Sequence, residues 1–375
     1  MLSNLLLAIG FVRCPVDPAL WVLDSDEGYI TLSTWVDDCS VAVSNDSFWS
    51  RIYERIKSVF PVGAYGPLQW HLGMRIRQSP GIIELDLVKY IGDMLAKFGL
   101  SNANTSKCHT PANSSQRLPS ADDCPKSDAE KLDQKRFPFR ALLGSLMYIG
   151  CWCRPDIMTA LSIIARYQSC PGKRHWQFLR HIAIYLKYTQ YLCLRFSHTA
   201  RRFSELTGFV DADYANSDLD GAKSRTGYLF FCCGAPIIWR STLQPVVAQS
   251  TCASEYIAMN AATREAEWLR IAANFLFNDG TADRPLLLHE DNQGAKALAE
   301  SAILSRRSRH IKVRYHYVRQ AIQEGVVTFD YINTDDQIAD CMTKILGPQK
   351  FDHFRQLLVV SPTLAADTAV TTSQA

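Results

Sequence analysis

Four acidic residues in the second half of the chain have the type and spacing to hold divalent cations around a phosphodiester. They are Asp211 in ELTGFVDADYANSD, Glu255 in STCASEYIAM, Asp291 in LLLHEDNQGAKALA and Asp340 in NTDDQIADCMTK. Paired hard cations need several carboxylate oxygens, which folding can gather from distant segments. Each acid also has a blander use. Glu255 falls in the first turn of a helix, where the dipole favours an anion anyway. Asp291 could cap the helix that follows it. Asp340 lies within a helical stretch beside Ile338, Ala339 and Met342, and a lone acid is more often solvated than a ligand. Asp211 is less ordinary. Period-two alternation sets it on one strand face with Phe209 and Asp213, opposite Val210 and Ala212. The four acids make a case only together.

The elements that must position them read as a mixed α/β layer fold. Strands are predicted at residues 206–213, 226–233, 236–240, 285–289 and 326–331, with helices at 252–276, 293–300, 311–323 and 336–344. Upstream, a helix at 2–11 precedes strands at 20–23, 29–36 and 39–45. Asp37 and Asp38 lie in the tight link between the last two, so they crown a β-hairpin. A helix at 48–60 ends at Pro61, a hairpin turns at Pro80-Gly81, and another helix covers 87–98. A Ser-, Asn-, Asp- and Pro-rich stretch at 101–134 reads as a linker. Helices at 138–149, 155–168 and 173–188 follow it.

With 375 residues, two or three domains are expected. A composition 47% hydrophobic and 21% charged is that of a globular protein. The net charge of +3 permits a nucleic-acid partner without arguing for one. Twelve cysteines show no regular framework. Cys151/Cys153 and Cys232/Cys233 lack the two-residue gap of a zinc knuckle, so buried free thiols in a reducing compartment are expected. The N-terminal MLSNLLLAIGF has neither a basic start nor a small-residue cleavage site, which argues against secretion. No apolar run reaches the ~18–20 residues of a membrane span, so no membrane partner is expected.

Residues 204–347 resemble the ribonuclease H domain of copia-type LTR retrotransposon polyproteins. The stretches that carry the likeness are GFVDADYANSDLDGAKSRTGYLF, GAPIIWRSTLQ, STCASEYIAM, EDNQGAKALA, SRHIKVRYHYVR and TDDQIADCMTK. Upstream, TWVDDCSVAVSND resembles the acidic turn of the polymerase palm, and GPLQWHLGMRI the primer-grip segment. YIGDMLAKFGL with HTP resembles the thumb, and FRALLGSLMYIGCWCRPDIMTALSIIARY the connection. The likeness covers nearly the whole chain in the family's order. It implies a palm remnant at 1–47, a primer-grip hairpin and thumb at 48–112, and a linker with helical connection at 113–203. A ribonuclease H-like domain with a five-stranded mixed sheet and flanking helices would occupy 204–350, and a tail with a disordered end 351–375.

The resemblance further implies that Asp211, Glu255, Asp291 and Asp340 are catalytic metal ligands for two Mg²⁺ or Mn²⁺ ions, cleaving RNA in an RNA–DNA hybrid. Other polyprotein chains are further implied partners. It also implies an intracellular setting, cytoplasmic, nuclear or within a virus-like particle. Arg306, Arg307, Arg309, Lys312 and Arg314 would grip the hybrid backbone, and His310 is a candidate for proton transfer.

The chain departs from the family pattern at several places. Ala253 replaces the capping-box Glu, leaving Ser250 as the remaining cap. Ser305 stands for a His, Lys312 for an Asp, Thr242-Leu243 for Lys-Lys and Trp35 for Tyr. A palm also needs a third Asp from a strand earlier than Met1, so Asp37 and Asp38 are expected to be stranded ligands and DNA synthesis by this chain is not expected. A decayed, hybrid-binding relic of the same fold stays open. A DNA strand-transferase fits less well, because such enzymes place Glu last. In this chain Glu is second, with spacings of 44, 36 and 49 residues.

Overall fold

The computed structural model describes residues 2–64, 66–102, 106–200, 205–215, 222–277, 284–301 and 313–363, with side chains of 313 and 314 left aside. Among the described residues, the chain builds three sheets and three hydrophobic cores. In the first, helix α1 (Leu2–Ile9) is followed by strands β1 (Val12–Arg13), β2 (Leu20–Ser25), β3 (Gly28–Trp35) and β4 (Asp38–Val43), antiparallel and in that spatial order. Helix α2 (Asp46–Lys57) follows, capped by Asn45, whose side chain accepts from the amides of Ser47 and Phe48. Leu6, Trp21, Ile30, Leu32, Phe48 and Ile56 close this core. The β3–β4 hairpin turns through Val36 and Asp37, with Val36 at φ 52. A β-branched residue in the left-handed region is strained, and here it is also 89% exposed.

The second sheet takes β5 (Trp70–His71), β6 (Met74–Ser79) and β7 (Ile82–Asp86) from one hairpin region that leads into α3 (Val88–Lys97). Its fourth strand, β8 (Leu194–Ser197), arrives only after α4 (Asp128–Gln134), α5 (Phe139–Trp152), α6 (Met158–Ile164) and α7 (Lys173–Thr189). The primer-grip-like hairpin and the end of the connection-like region therefore share one sheet. The continuous helix read at 155–168 is α6 with a 3₁₀ turn at each end.

The third sheet comprises β9 (Thr207–Asp213), β10 (Arg225–Cys232), β11 (Ala235–Leu243), β12 (Leu286–Glu290) and β13 (Val327–Tyr331). Their spatial order is β11-β10-β9-β12-β13; the first three run antiparallel, and β9, β12 and β13 are parallel. This is the five-stranded mixed sheet expected of a ribonuclease H-like domain, in a mixed α/β chain.

Both faces of this sheet are covered, which is why β9 is buried along almost its whole length. On one face lie α8 (Thr251–Phe277), α9 (Gln293–Glu300) and α10 (Tyr317–Gln323), packed on Val210, Ala212, Tyr228, Phe230 and Leu288. On the other lie α6, α11 (Asp340–Thr343) and α12 (Pro348–Leu358), against Phe209, Leu229 and Phe231. The Trp239 indole N–H donates to the Gly150 carbonyl at 2.8 Å, tying β11 to α5.

Three further expectations need adjusting. The region read as a tail at 351–375 begins as α12, with Phe351, Phe354 and Leu358 in the core, and Val360 bridges Cys193; residues 364–375 lie outside the described ones. The helix read at 336–344 shrinks to α11, because Gln337 folds its side chain inward. Its carboxamide oxygen accepts from the Ala339 amide, and its nitrogen donates to the Val210 carbonyl. All twelve cysteines are free as expected, but only Cys14, Cys153, Cys193 and Cys341 are buried.

Candidate metal centre

Strand β9 pairs with β12 only from Thr207 to Phe209. Beyond that point its edge is open, and other groups satisfy it. Gln337 donates to the Val210 carbonyl at 2.9 Å, and the Ala212 amide donates to the Glu255 carboxylate. Side chains from β9, from α8 and from the residue after β12 converge just beyond the point where the two parallel strands stop pairing.

Asp211, Glu255 and Asp291 meet there. One carboxylate oxygen from each lies within 4.8 Å of the others. Local sequence explains how each arrives. Ser250 caps α8, accepting from the Ala253 amide at 3.1 Å, so Glu255 occupies the first turns and reaches β9. Asn292, not Asp291, caps α9, its side chain accepting from the Ala295 amide at 2.9 Å. That frees the Asp291 carboxylate from a capping role.

Asp211 is held from the other side. Thr343 on α11 donates its hydroxyl to Asp211. The approach depends on Gly227, which lies opposite Asp211 in the β9–β10 register. A Cβ at that position would meet Met342 Cβ and Thr343 Cγ2 at 2.6 Å each.

Asp340 is close by but differently engaged. One of its oxygens takes the Lys344 ammonium at 2.6 Å and the other takes Lys350 at 2.8 Å. Lys344 also lies 3.5 Å from Asp211. The fourth acid therefore joins the other three through an ammonium group.

The electrostatics follow from burial. Asp211 is 1% and Glu255 4% exposed. Burial, partly offset by Lys344 and reinforced by Asp340, pushes the Asp211 carboxyl up to about 7. Burial, with Glu290, Asp211 and Asp291 around it, holds Glu255 well above the usual carboxylate range. For Lys344, burial works against the charged form, but Asp211 and Asp340 prevail and raise it above an ordinary lysine. Carboxylates this crowded cannot all be ionised without a compensating cation. The all-oxygen donor set suits a hard divalent ion such as Mg²⁺ or Mn²⁺. Glu255 Oε2 is buried with no hydrogen-bond partner, which is a second sign of a site built for one.

His310, Arg306, Arg307, Arg309 and Lys312 lie outside the described residues, as does Ser305. Arg314 belongs to a 3₁₀ turn, Val313–His316, where a regular helix was expected to begin. Asp37 and Asp38 are exposed at the β3–β4 hairpin, and no described metal-type cluster includes them. Two residues escaped the sequence reading. Gln337 had no local signal. Glu290 had one: alternation along β12 sets it on the face of buried Leu286 and Leu288.

Residues 1–113 match the family of reverse transcriptases (RNA-dependent DNA polymerases). The chain is 33% identical over 336 residues to the retrovirus-related Pol polyprotein from transposon TNT 1-94 of Nicotiana tabacum, covering 89% of this chain. It is 28% identical over 363 residues to that from transposon RE1 of Arabidopsis thaliana, covering 96% of this chain. It spans 24% of either relative's length. Among solved structures, a ribonuclease H1 isolated from compost by a metagenomic approach aligns with 40% of this chain and 97% of its own, at 12% identity and a TM-score of 0.29.

Proposed function

Since the chain belongs to the copia-type Pol polyproteins of LTR retrotransposons, we propose that its third sheet carries a metal-dependent nuclease that cleaves the RNA strand of RNA–DNA hybrids. The observation behind this reading is the convergence of Asp211, Glu255 and Asp291 within 4.8 Å at the mouth of a ribonuclease H-like sheet. Bound divalent ions, two in the full reading, would supply charge to activate a water and to stabilise the leaving 3′-oxygen.

The protein's own groups do the positioning. Asp211, Glu255 and Asp291 would hold the first ion, with Thr343 and the Ala212 amide fixing two of the three carboxylates. Asp211 and Asp340 would hold the second, once Lys344 swings away from between them. The RNA specificity would rest on the 2′-hydroxyl, and the basic run at 306–314 would meet the phosphates. His310 would serve as the proton-transfer group.

The test is cleavage of a labelled RNA–DNA hybrid by the full chain in Mg²⁺, wild type against Asp211→Asn. The full chain is required because excising the third sheet would bare Phe209, Leu229 and Phe231, which pack on the preceding helices. A rate loss of at least about 100-fold is expected, the upper end of what loss of a group supporting a metal ligand costs. Equal rates would remove Asp211 from the site. A second reading, hybrid binding without cleavage, is favoured by Lys344 and Lys350, which occupy both Asp340 oxygens. Hybrid retention with no Mg²⁺-dependent cleavage by the wild-type chain would select it.

A further inference from the structure

Cys124 and Cys170, 46 residues apart in the chain, bring their Sγ atoms to 3.0 Å from each other. Cys124 follows the 3₁₀ turn Ala121–Asp123 in the stretch read as a linker, and Cys170 lies between α6 and α7. Their meeting does not depend on the two side chains alone. Buried His175, in the first turn of α7, accepts from the Gly172 amide through Nδ1 at 2.8 Å. Its Nε2 therefore carries the proton and donates to the Ser120 carbonyl at 2.9 Å. Asp123 takes the Arg117 guanidinium on one oxygen and the Ser120 amide on the other, and Arg174 donates to the Arg117 carbonyl. The two backbones touch at Gly172, where a Cβ would meet the Asp123 carbonyl oxygen at 1.8 Å. The chain beside each cysteine is thus fixed to the chain beside the other. Cys170 is exposed and Cys124 half-buried, so an oxidant reaches the first while the second waits next to it. Bonded sulfur atoms stand about 2 Å apart, so closing the pair takes a movement of about 1 Å.

We propose that Cys124 and Cys170 form a reversible thiol–disulfide site that clips the 117–124 stretch onto the turn before α7. The Cys170 thiolate attacks one sulfur of a disulfide oxidant such as glutathione disulfide, giving a mixed disulfide and releasing one glutathione thiolate. The Cys124 thiolate then attacks the Cys170 sulfur and expels the second glutathione. Two protein thiols are oxidised by two electrons, the oxidant is reduced to two thiols, and two protons pass from the protein to glutathione. The ring so closed contains α4, α5 and α6, which makes the bond a restraint on a long stretch of the unfolded chain. Reducing conditions leave the pair open, in keeping with twelve free cysteines. The site lies apart from the carboxylate cluster and stands whether or not that cluster binds metal.

The experiment is equilibration of the full chain with glutathione disulfide, then acid quenching, alkylation of the remaining thiols and peptide mass mapping. The expected product is one peptide pair joined through Cys124 and Cys170, which dithiothreitol separates. Cys124→Ser should stop at a glutathione adduct on Cys170, and Cys170→Ser should leave Cys124 as a free thiol that alkylates. Urea unfolding with and without dithiothreitol should show a higher midpoint for the oxidised wild-type chain and no difference for either variant. Three results in the wild-type chain overturn the inference: both cysteines still reduced, both carrying glutathione, or either one bonded to a different cysteine. Mapping the wild-type chain needs no variant, so a substitution that fails to fold leaves the test decisive.

Discussion

Two parts of this chain carry adjacent acids where a strand ends, and they behave differently. At the β3–β4 hairpin, Asp37 and Asp38 stand exposed on a tight turn, next to Trp35 and Val36, which are also exposed. At the end of β12, Asp291 joins Asp211 and Glu255 in one cluster, and its chain neighbour Glu290 is fully buried. The first pair is joined only by the chain. The second belongs to a group drawn from three elements, in a place where water is largely excluded. Chain adjacency brings charges together at little cost in solvent. Burial forces them to be neutralised, and that requirement is what gives a carboxylate cluster a strong demand for cations.

The sharpest way to break this contrast is pH. In EDTA, the unfolded chain ionises Asp211 in the ordinary aspartate range near 4, whereas the folded chain keeps that proton to about 7. A raised acid contributes stability that is fully present below about 4 and lost as pH rises through about 7, on the order of 4 kcal/mol for this residue. Denaturant melts of the metal-free chain at pH 4.5 and 7.5 should therefore show the higher pH to be less stable. Adding Mg²⁺ should restore most of the loss at pH 7.5. Asp211→Asn should flatten much of the pH response, and Asp37→Asn should leave it unchanged. An equal flattening by Asp37→Asn would end the comparison.

A smaller effect comes from the support beneath Asp211. Gly227→Ala places a methyl 2.6 Å from Met342 and Thr343, so α11 must shift, at a cost of about 1–3 kcal/mol in urea denaturation. Because Thr343 loses its place on Asp211, hybrid cleavage should fall with it; unchanged cleavage would show that α11 does not orient the site. The smallest effect lies at the helix cap. Ser250→Ala should cost about 1 kcal/mol, since the capping-box partner is already Ala253. A negligible change would mean that α8 is anchored by its packing on β9 alone.

Much of the third sheet was legible in the chain. Strands β9 to β13 and helices α8 and α9 fall within a few residues of their periodic signals, because each is a local pattern of apolar spacing closed by turn or cap residues. Asp211 was also readable as unusual, since it alternates with Phe209. Asp291 was ambiguous until the structure assigned the cap to Asn292, a choice between neighbouring side chains that no spacing rule makes. The helix around Asp340 was misjudged because Gln337, whose local surroundings favour helix, forms its bonds instead with Val210, 127 residues away. Likewise, β8 joins a sheet whose other strands lie more than a hundred residues earlier, and α12 packs where a loose tail was expected.

The amino-acid order alone determined most of the strands and helices of the third sheet, which acids fall near their ends, and the family to which the pattern belongs, since these are carried by local spacing and by motif. Tertiary structure decided which acids meet. It united Asp211, Glu255 and Asp291, tied Asp340 to them through Lys344, and turned Glu290 from an overlooked neighbour into a buried, half-satisfied carboxylate. The reason is physical: the energy of a charge depends on its distance to other charges and to water, and those distances exist only once β9 and β12 part and α8 and α11 close in from opposite faces.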